Sequence, residues 1–203
     1  MKTIAEIADR CGAYLCQKTE NEAELKTVTY GLEVFLVFAI DLIMIFFSGL
    51  IFGVLYQTMM VMFSLLLVRL FIGGSHLSGF LRCLIFSDLL IIGTIVIFKY
   101  YFVVKFSAIV VISVGLISIY FINRYAPVVV EWKVFSEQKI WQMRLIASGL
   151  VILWSIVYLL WQKEWTKYFL LGTYLAVLNV TPLMRALIKY IEELTNPIRK
   201  EVN

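Results

Sequence analysis

Unbroken apolar stretches of nearly twenty residues recur along this chain, separated by short polar interruptions. That length is the strongest constraint on its fold, because about twenty residues of helix cross the roughly 30 Å hydrocarbon core of a bilayer. The chain has 203 residues, of which 62% are hydrophobic and 16% charged, more apolar surface than a soluble globule of this size can bury. The bilayer must therefore be its solvent. Helices satisfy their own backbone groups there, so the expected class is an all-α, polytopic membrane helical bundle. Aromatic residues sit inside continuous apolar runs rather than alternating with polar ones, which argues against a membrane barrel.

The hydropathy pattern predicts six transmembrane helices, at about 30–47, 50–68, 84–98, 102–122, 145–161 and 166–184. Ahead of them Ile4, Ile7, Ala8, Cys11 and Leu15 fall at helical spacing, which predicts an amphipathic helix on the membrane surface. Glu6, Asp9, Glu20, Glu22 and Glu24 make this stretch too acidic for a cleavable signal peptide, so it is expected to be retained. No linker or repeat divides the chain. The expectation is a single domain over 1–203, with a surface helix at 1–27, a bundle at 28–185 and a cytosolic tail at 186–203.

In the six-span scheme all but four of the 18 Lys and Arg residues fall on the side that holds both termini. The exceptions are Lys99, Lys105, Lys163 and Lys167. The positive-inside bias then puts the termini, and residues 69–83 with them, in the cytosol of a cell membrane. A net charge of +4 without a dense basic block does not suggest nucleic acid. The three cysteines, Cys11, Cys16 and Cys83, fit no disulfide framework and read as free thiols on a reducing face.

Chemistry concentrates in residues 69–88, RLFIGGSHLSGFLRCLIFSD, where two adjacent glycines are followed by the single histidine and then a cysteine. Reactive groups this close to the hydrocarbon need a reason. Cysteine is a nucleophile as its thiolate, a form favoured by a neighbouring imidazolium or a helix N-terminus, and His76 and Cys83 could supply such a pair. On a straight helix their seven-residue separation would leave them about 10.5 Å apart along the axis. A dyad therefore requires a bend, and Gly73, Gly74 and Gly79 are the residues that permit one. The expectation is a broken or re-entrant segment at 69–83, covered by protein or water. The plainer alternative is an interfacial histidine beside a cysteine that acts as a small hydrophobe or acyl acceptor.

The run Arg69, Gly73, Gly74, His76, Cys83, with Ser87 one turn beyond the cysteine, in a six-span chain of this length, resembles the accessory gene regulator B (AgrB) family. That family comprises membrane cysteine endopeptidases that process the propeptide of a cyclic autoinducing peptide in quorum sensing. The resemblance implies Cys83 as nucleophile, His76 as base, and Arg69, Gly73, Gly74 and Ser87 as supporting residues. It also implies an AgrD-like precursor as substrate, with a homodimer as a candidate assembly. Removal of the precursor's C-terminal tail through a Cys83 acyl-enzyme would lead to a thiolactone or lactone ring. No cofactor is expected, and one histidine excludes a His-Glu-x-x-His zinc site.

Asp41 lies within the first span and is read either as a partner for Arg69 or as a polar contact for His76 or substrate. On a helix Ser87 shares the Cys83 face and Asp88 is rotated away from it. Asn179 and Pro182 read as a kink. The competing function is a non-enzymatic membrane export factor using Asp41, Asp88 and His76; a serine protease built on Ser75 or Ser78 would make Cys83 dispensable.

Overall fold

A computed structural model describes residues 10, 11, 14, 22–74, 77, 80–101, 106–128 and 135–195. These form seven helices and no strands: α1 (Glu22–Ile51), α2 (Leu55–Ile72), α3 (Phe80–Tyr100), α4 (Ala108–Tyr125), α5 (Glu137–Trp161), α6 (Glu164–Leu178) and α7 (Pro182–Thr195). The all-α bundle expected from the sequence is what folds. Most of the N-terminal segment expected as a surface helix, Cys16, and His76 with Ser75, Ser78 and Gly79 lie outside the described residues.

Helices α2, α3, α4 and α5 are each long and apolar enough to cross a membrane, and α1 carries a shorter apolar stretch, Phe35–Ile51. The last span bends where Asn179 and Pro182 suggested a kink, and the bend is a full break. Rather than one helix at 166–184, α6 ends at Leu178 and α7 starts at Pro182, bent from it by 67°. Proline cannot supply the N–H that would continue the α6 ladder, and it is well tolerated at the first position of a new helix. Thr181 then caps α7, its side-chain oxygen accepting from Met184 N–H at 3.3 Å. The fifth span is longer than expected, because Ser136 caps α5, accepting from Lys139 N–H, and the helix starts at Glu137, eight residues ahead of the expected start at 145.

The core is built around α2 and α6. Nearly every residue of α6 from Thr166 to Val177 is buried, and Val61, Leu65, Val68 and Ile72 of α2 are buried with them. The two helices approach closely at Gly172, where a Cβ would overlap the Ser64 hydroxyl and the Val61 carbonyl. Around this pair lie Ile45 of α1, Ile91, Ile92 and Ile95 of α3, and Ala147 and Val151 of α5. The outward faces carry exposed Phe63, Leu89, Ile117 and Leu153, the composition of a surface against lipid.

Lysines close one end of the bundle. Lys99 Nζ donates to the Gly53 carbonyl at 2.6 Å, and Lys167 Nζ to the Phe98 carbonyl at 3.2 Å, so two cations cap helix C-termini. Phe106 N–H donates to the Tyr158 hydroxyl at 2.8 Å and ties α5 to the approach to α4. The glycines at 49 and 53 part company. Gly49 packs against Thr58, and Gly53, at φ +64°, forms the turn between α1 and α2.

Candidate functional site

The other end of the bundle gathers the C-termini of α2, α4 and α6 and the N-termini of α3 and α5. Helix α2 finishes at Ile72, with Arg69 in its last turn, and α3 begins at Phe80, with Cys83 in its first turn. The 69–83 segment is therefore two helix ends around a break, as a bend between the glycines and the cysteine requires. Gly73 adopts φ +70° and ψ −149°, and its N–H donates to the Arg69 carbonyl at 2.9 Å. A short bridge pairs Gly73 with Val128, in which Val128 N–H donates to the Ile72 carbonyl at 2.8 Å. The segment after α4 thus straps the end of α2. Arg144 of α5 holds that strap, its Nε donating to the Ala126 carbonyl at 2.7 Å.

Gly74 lies against the Arg69 side chain so tightly that a Cβ there would sit 2.9 Å from both Nε and Nη2. The guanidinium is within electrostatic reach of both Cys83 and Asp41. A cation near a sulfur favours whatever negative charge develops there during acyl transfer. Cys83 also stands in the first turn of α3, at the positive end of that helix's dipole.

Cys83 lines a cavity of about 30 Å³, together with Arg69, Leu65, Ser87, Asn179 and Met184 among others. That is room for one or two waters, not for a peptide. Ser87 shares the cavity with Cys83, as the one-turn spacing suggested. Asp88 faces away, toward α1, where Ser48 donates to its Oδ2 at 2.9 Å. Asp41 and Asp88 interact electrostatically, and each has a buried Oδ1 with no hydrogen-bond partner. Both carboxylates belong to a polar seam between α1 and α3, and neither lines the thiol cavity.

Sequence reading missed the wall contributed by the C-terminal segment. Met184 and Ile188 of α7 pack with Leu77 in a small cluster, separate from the main core, that also contacts Cys83, Phe86 and Leu90. The signal was present in the apolar spacing of Met184, Ile188 and Ile191 after Pro182. A cytosolic tail was the expectation for residues from 186 on, and up to Thr195 they are helix.

Fold and cavity together define a polytopic membrane protein with a non-disulfide thiol at one end of its bundle, in a cavity it shares with a guanidinium and at a helix N-terminus. Comparison with known families makes the assignment specific: the chain belongs to the accessory gene regulator B (AgrB) family, whose family model matches residues 8–180. It is accordingly a membrane protein of accessory gene regulator quorum sensing, a family that takes part in processing an AgrD-like precursor. Comparisons with curated proteins and with solved structures return no match.

Proposed function

We propose that this protein is a cysteine endopeptidase that cleaves the C-terminal tail from an AgrD-like precursor, with Cys83 as nucleophile and His76 as general base. The observation that carries the reading is the placement of Cys83: a thiol outside any disulfide, in the first turn of α3, lining a cavity with Arg69. In the reaction His76 accepts the thiol proton and the sulfur attacks the carbonyl that precedes the tail. The carbon–nitrogen bond breaks, His76 returns the proton to the leaving amine, and a thioester remains on Cys83. Arg69 and the positive N-terminal end of α3 supply the charge that would stabilise the oxyanion of the tetrahedral intermediate.

A thiol or hydroxyl within the bound peptide then attacks the thioester and closes a thiolactone or lactone ring. The mostly apolar walls around Cys83, among them Leu65, Leu77, Phe86 and Leu90, limit water and so favour ring closure over hydrolysis. Lys and Arg placement supports a cytosolic location for this end in a bacterial cell membrane.

The test is tail release from a candidate precursor by nanodisc-embedded protein, followed by mass spectrometry. Wild type should release the tail and carry a trappable thioester on Cys83, and Cys83→Ala and His76→Ala should do neither. Release by Cys83→Ala equal to wild type would overturn the reading.

A further inference from the structure

Helix α7 has two apolar faces with different partners. Met184 and Ile188 are buried against the bundle and line the cavity that holds Cys83. Leu183, Leu187, Tyr190 and Leu194 recur at helical spacing on the adjoining side and stand 73%, 41%, 61% and 62% exposed. Arg185, Lys189, Glu192 and Glu193 occupy the opposite arc. The helix follows α6, the buried central helix of the bundle, and turns from it by 67°. It therefore lies at a steep angle to α6 at this end of the bundle, with an uncovered apolar stripe.

We propose that α7 is a lipid-seated gate over the thiol: the exposed stripe rests in the headgroup boundary of the bilayer, Met184 and Ile188 seal the Cys83 cavity, and an apolar peptide segment reaches the sulfur by displacing the helix. Three observations converge on lipid as the occupant of the stripe. The chain is a membrane protein, the break turns α7 across the end of its bundle, and the charged residues lie on the far side of the helix from the stripe.

Displacement is required because about 30 Å³ cannot receive a peptide. It is also mechanically accessible. The apolar contact of α7 with the bundle is the small cluster of Leu77, Met184 and Ile188, whereas α2 and α6 are fixed by the main core. The hinge is the segment between Leu178 and Pro182, where the α6 ladder ends in turns closed by Val177 and Leu178 carbonyls. Arg185 Nη2 donates to the Val180 carbonyl at 3.2 Å, and its guanidinium lies 5.3 Å from the Tyr125 ring, a polar latch on the closed position. The substrate part of this inference rests on Cys83 being the nucleophile; the seating and gating parts do not.

Two measurements test it in nanodiscs. In a Cys11→Ser, Cys16→Ser background, alkylation of Cys83 by N-ethylmaleimide, a reagent larger than the cavity, should be slow. It should accelerate at least fivefold in Met184→Ala/Ile188→Ala, which thins the seal, and in Leu187→Lys/Tyr190→Lys, which unseats the stripe. Unchanged rates in both double variants would overturn the gate. A nitroxide on Leu187→Cys, with Cys83 also changed to Ser, should collide more often with oxygen than with a water-soluble nickel chelate. The reverse order would overturn the lipid seat, even if the lysine variants failed to fold. Neither readout involves peptide cleavage, so tail release by Cys83→Ala would remove the peptidase reading and leave the gate standing.

Discussion

Replacing Gly73 by alanine should destabilise the protein more than the same change at any other glycine of the site end, for a reason three glycines separate. At Gly53 the backbone has φ +64° and a Cβ would meet nothing within 4 Å, so alanine there incurs backbone strain alone, about 1–2 kcal/mol. At Gly74 no left-handed φ is involved, and the Cβ meets only the mobile end of the Arg69 side chain at 2.9 Å. The guanidinium can yield, so stability should fall by less than about 1 kcal/mol while the cation beside Cys83 is pushed out of place. At Gly73 both costs coincide. Its φ of +70° with ψ −149° falls in a region open essentially to glycine alone, worth about 1–3 kcal/mol. The Cβ would also overlap the Val128 carbonyl, which is backbone and cannot rotate away. Parting the strap sacrifices the Val128 to Ile72 hydrogen bond, about another 0.5–1.5 kcal/mol.

The sum is about 2–4 kcal/mol, or a fall in melting temperature of roughly 5–15 °C for a chain of this size. Thermal unfolding of the three alanine variants in one detergent, read by size-exclusion chromatography after heating, would give the ranking. Gly73→Ala should melt lowest, Gly53→Ala next, and Gly74→Ala nearest wild type but with the largest loss of tail release per degree lost. A Gly73→Ala protein as stable as Gly53→Ala would refute the argument that the strap is rigidly docked on the end of α2.

Other outcomes follow from single contacts. Ser48→Ala removes the donor to Asp88 Oδ2 and leaves a buried carboxylate whose Oδ1 already has no partner; a loss of about 1.5–3 kcal/mol is expected by thermal unfolding. Tyr158→Phe deletes the acceptor of Phe106 N–H and should cost about 1 kcal/mol, with faster hydrogen exchange at that amide as the specific readout. Gly172→Val forces a side chain between α2 and α6, against the Val61 backbone, and should prevent recovery of monodisperse protein. Gly149→Ala, on a helix with open space around it, should be neutral or stabilising by up to about 1 kcal/mol, and serves as the control.

The sequence alone determined the solvent, the helical class and the approximate spans, because hydrocarbon admits few structures and each helix must be apolar over a fixed length. It also singled out the break after α2, since Gly73 and Gly74 interrupt an apolar run beside reactive residues. Local signals located the kink at Asn179 and Pro182, because proline's missing N–H acts within its own turn. What depended on distant parts of the chain was decided only by the tertiary structure. That the residues after α4 strap Gly73, that Arg69 comes within electrostatic reach of both Asp41 and Cys83, and that α7 forms a wall of the thiol cavity all depend on contacts between separate elements of the chain. Hydropathy reports how apolar a side chain is, and so it told Met184 and Ile188 from the charged residues around them; it could not tell which apolar side of α7 would meet protein and which would be left for lipid. That choice was made by the 67° turn and by the space that α2, α3 and α6 leave between them.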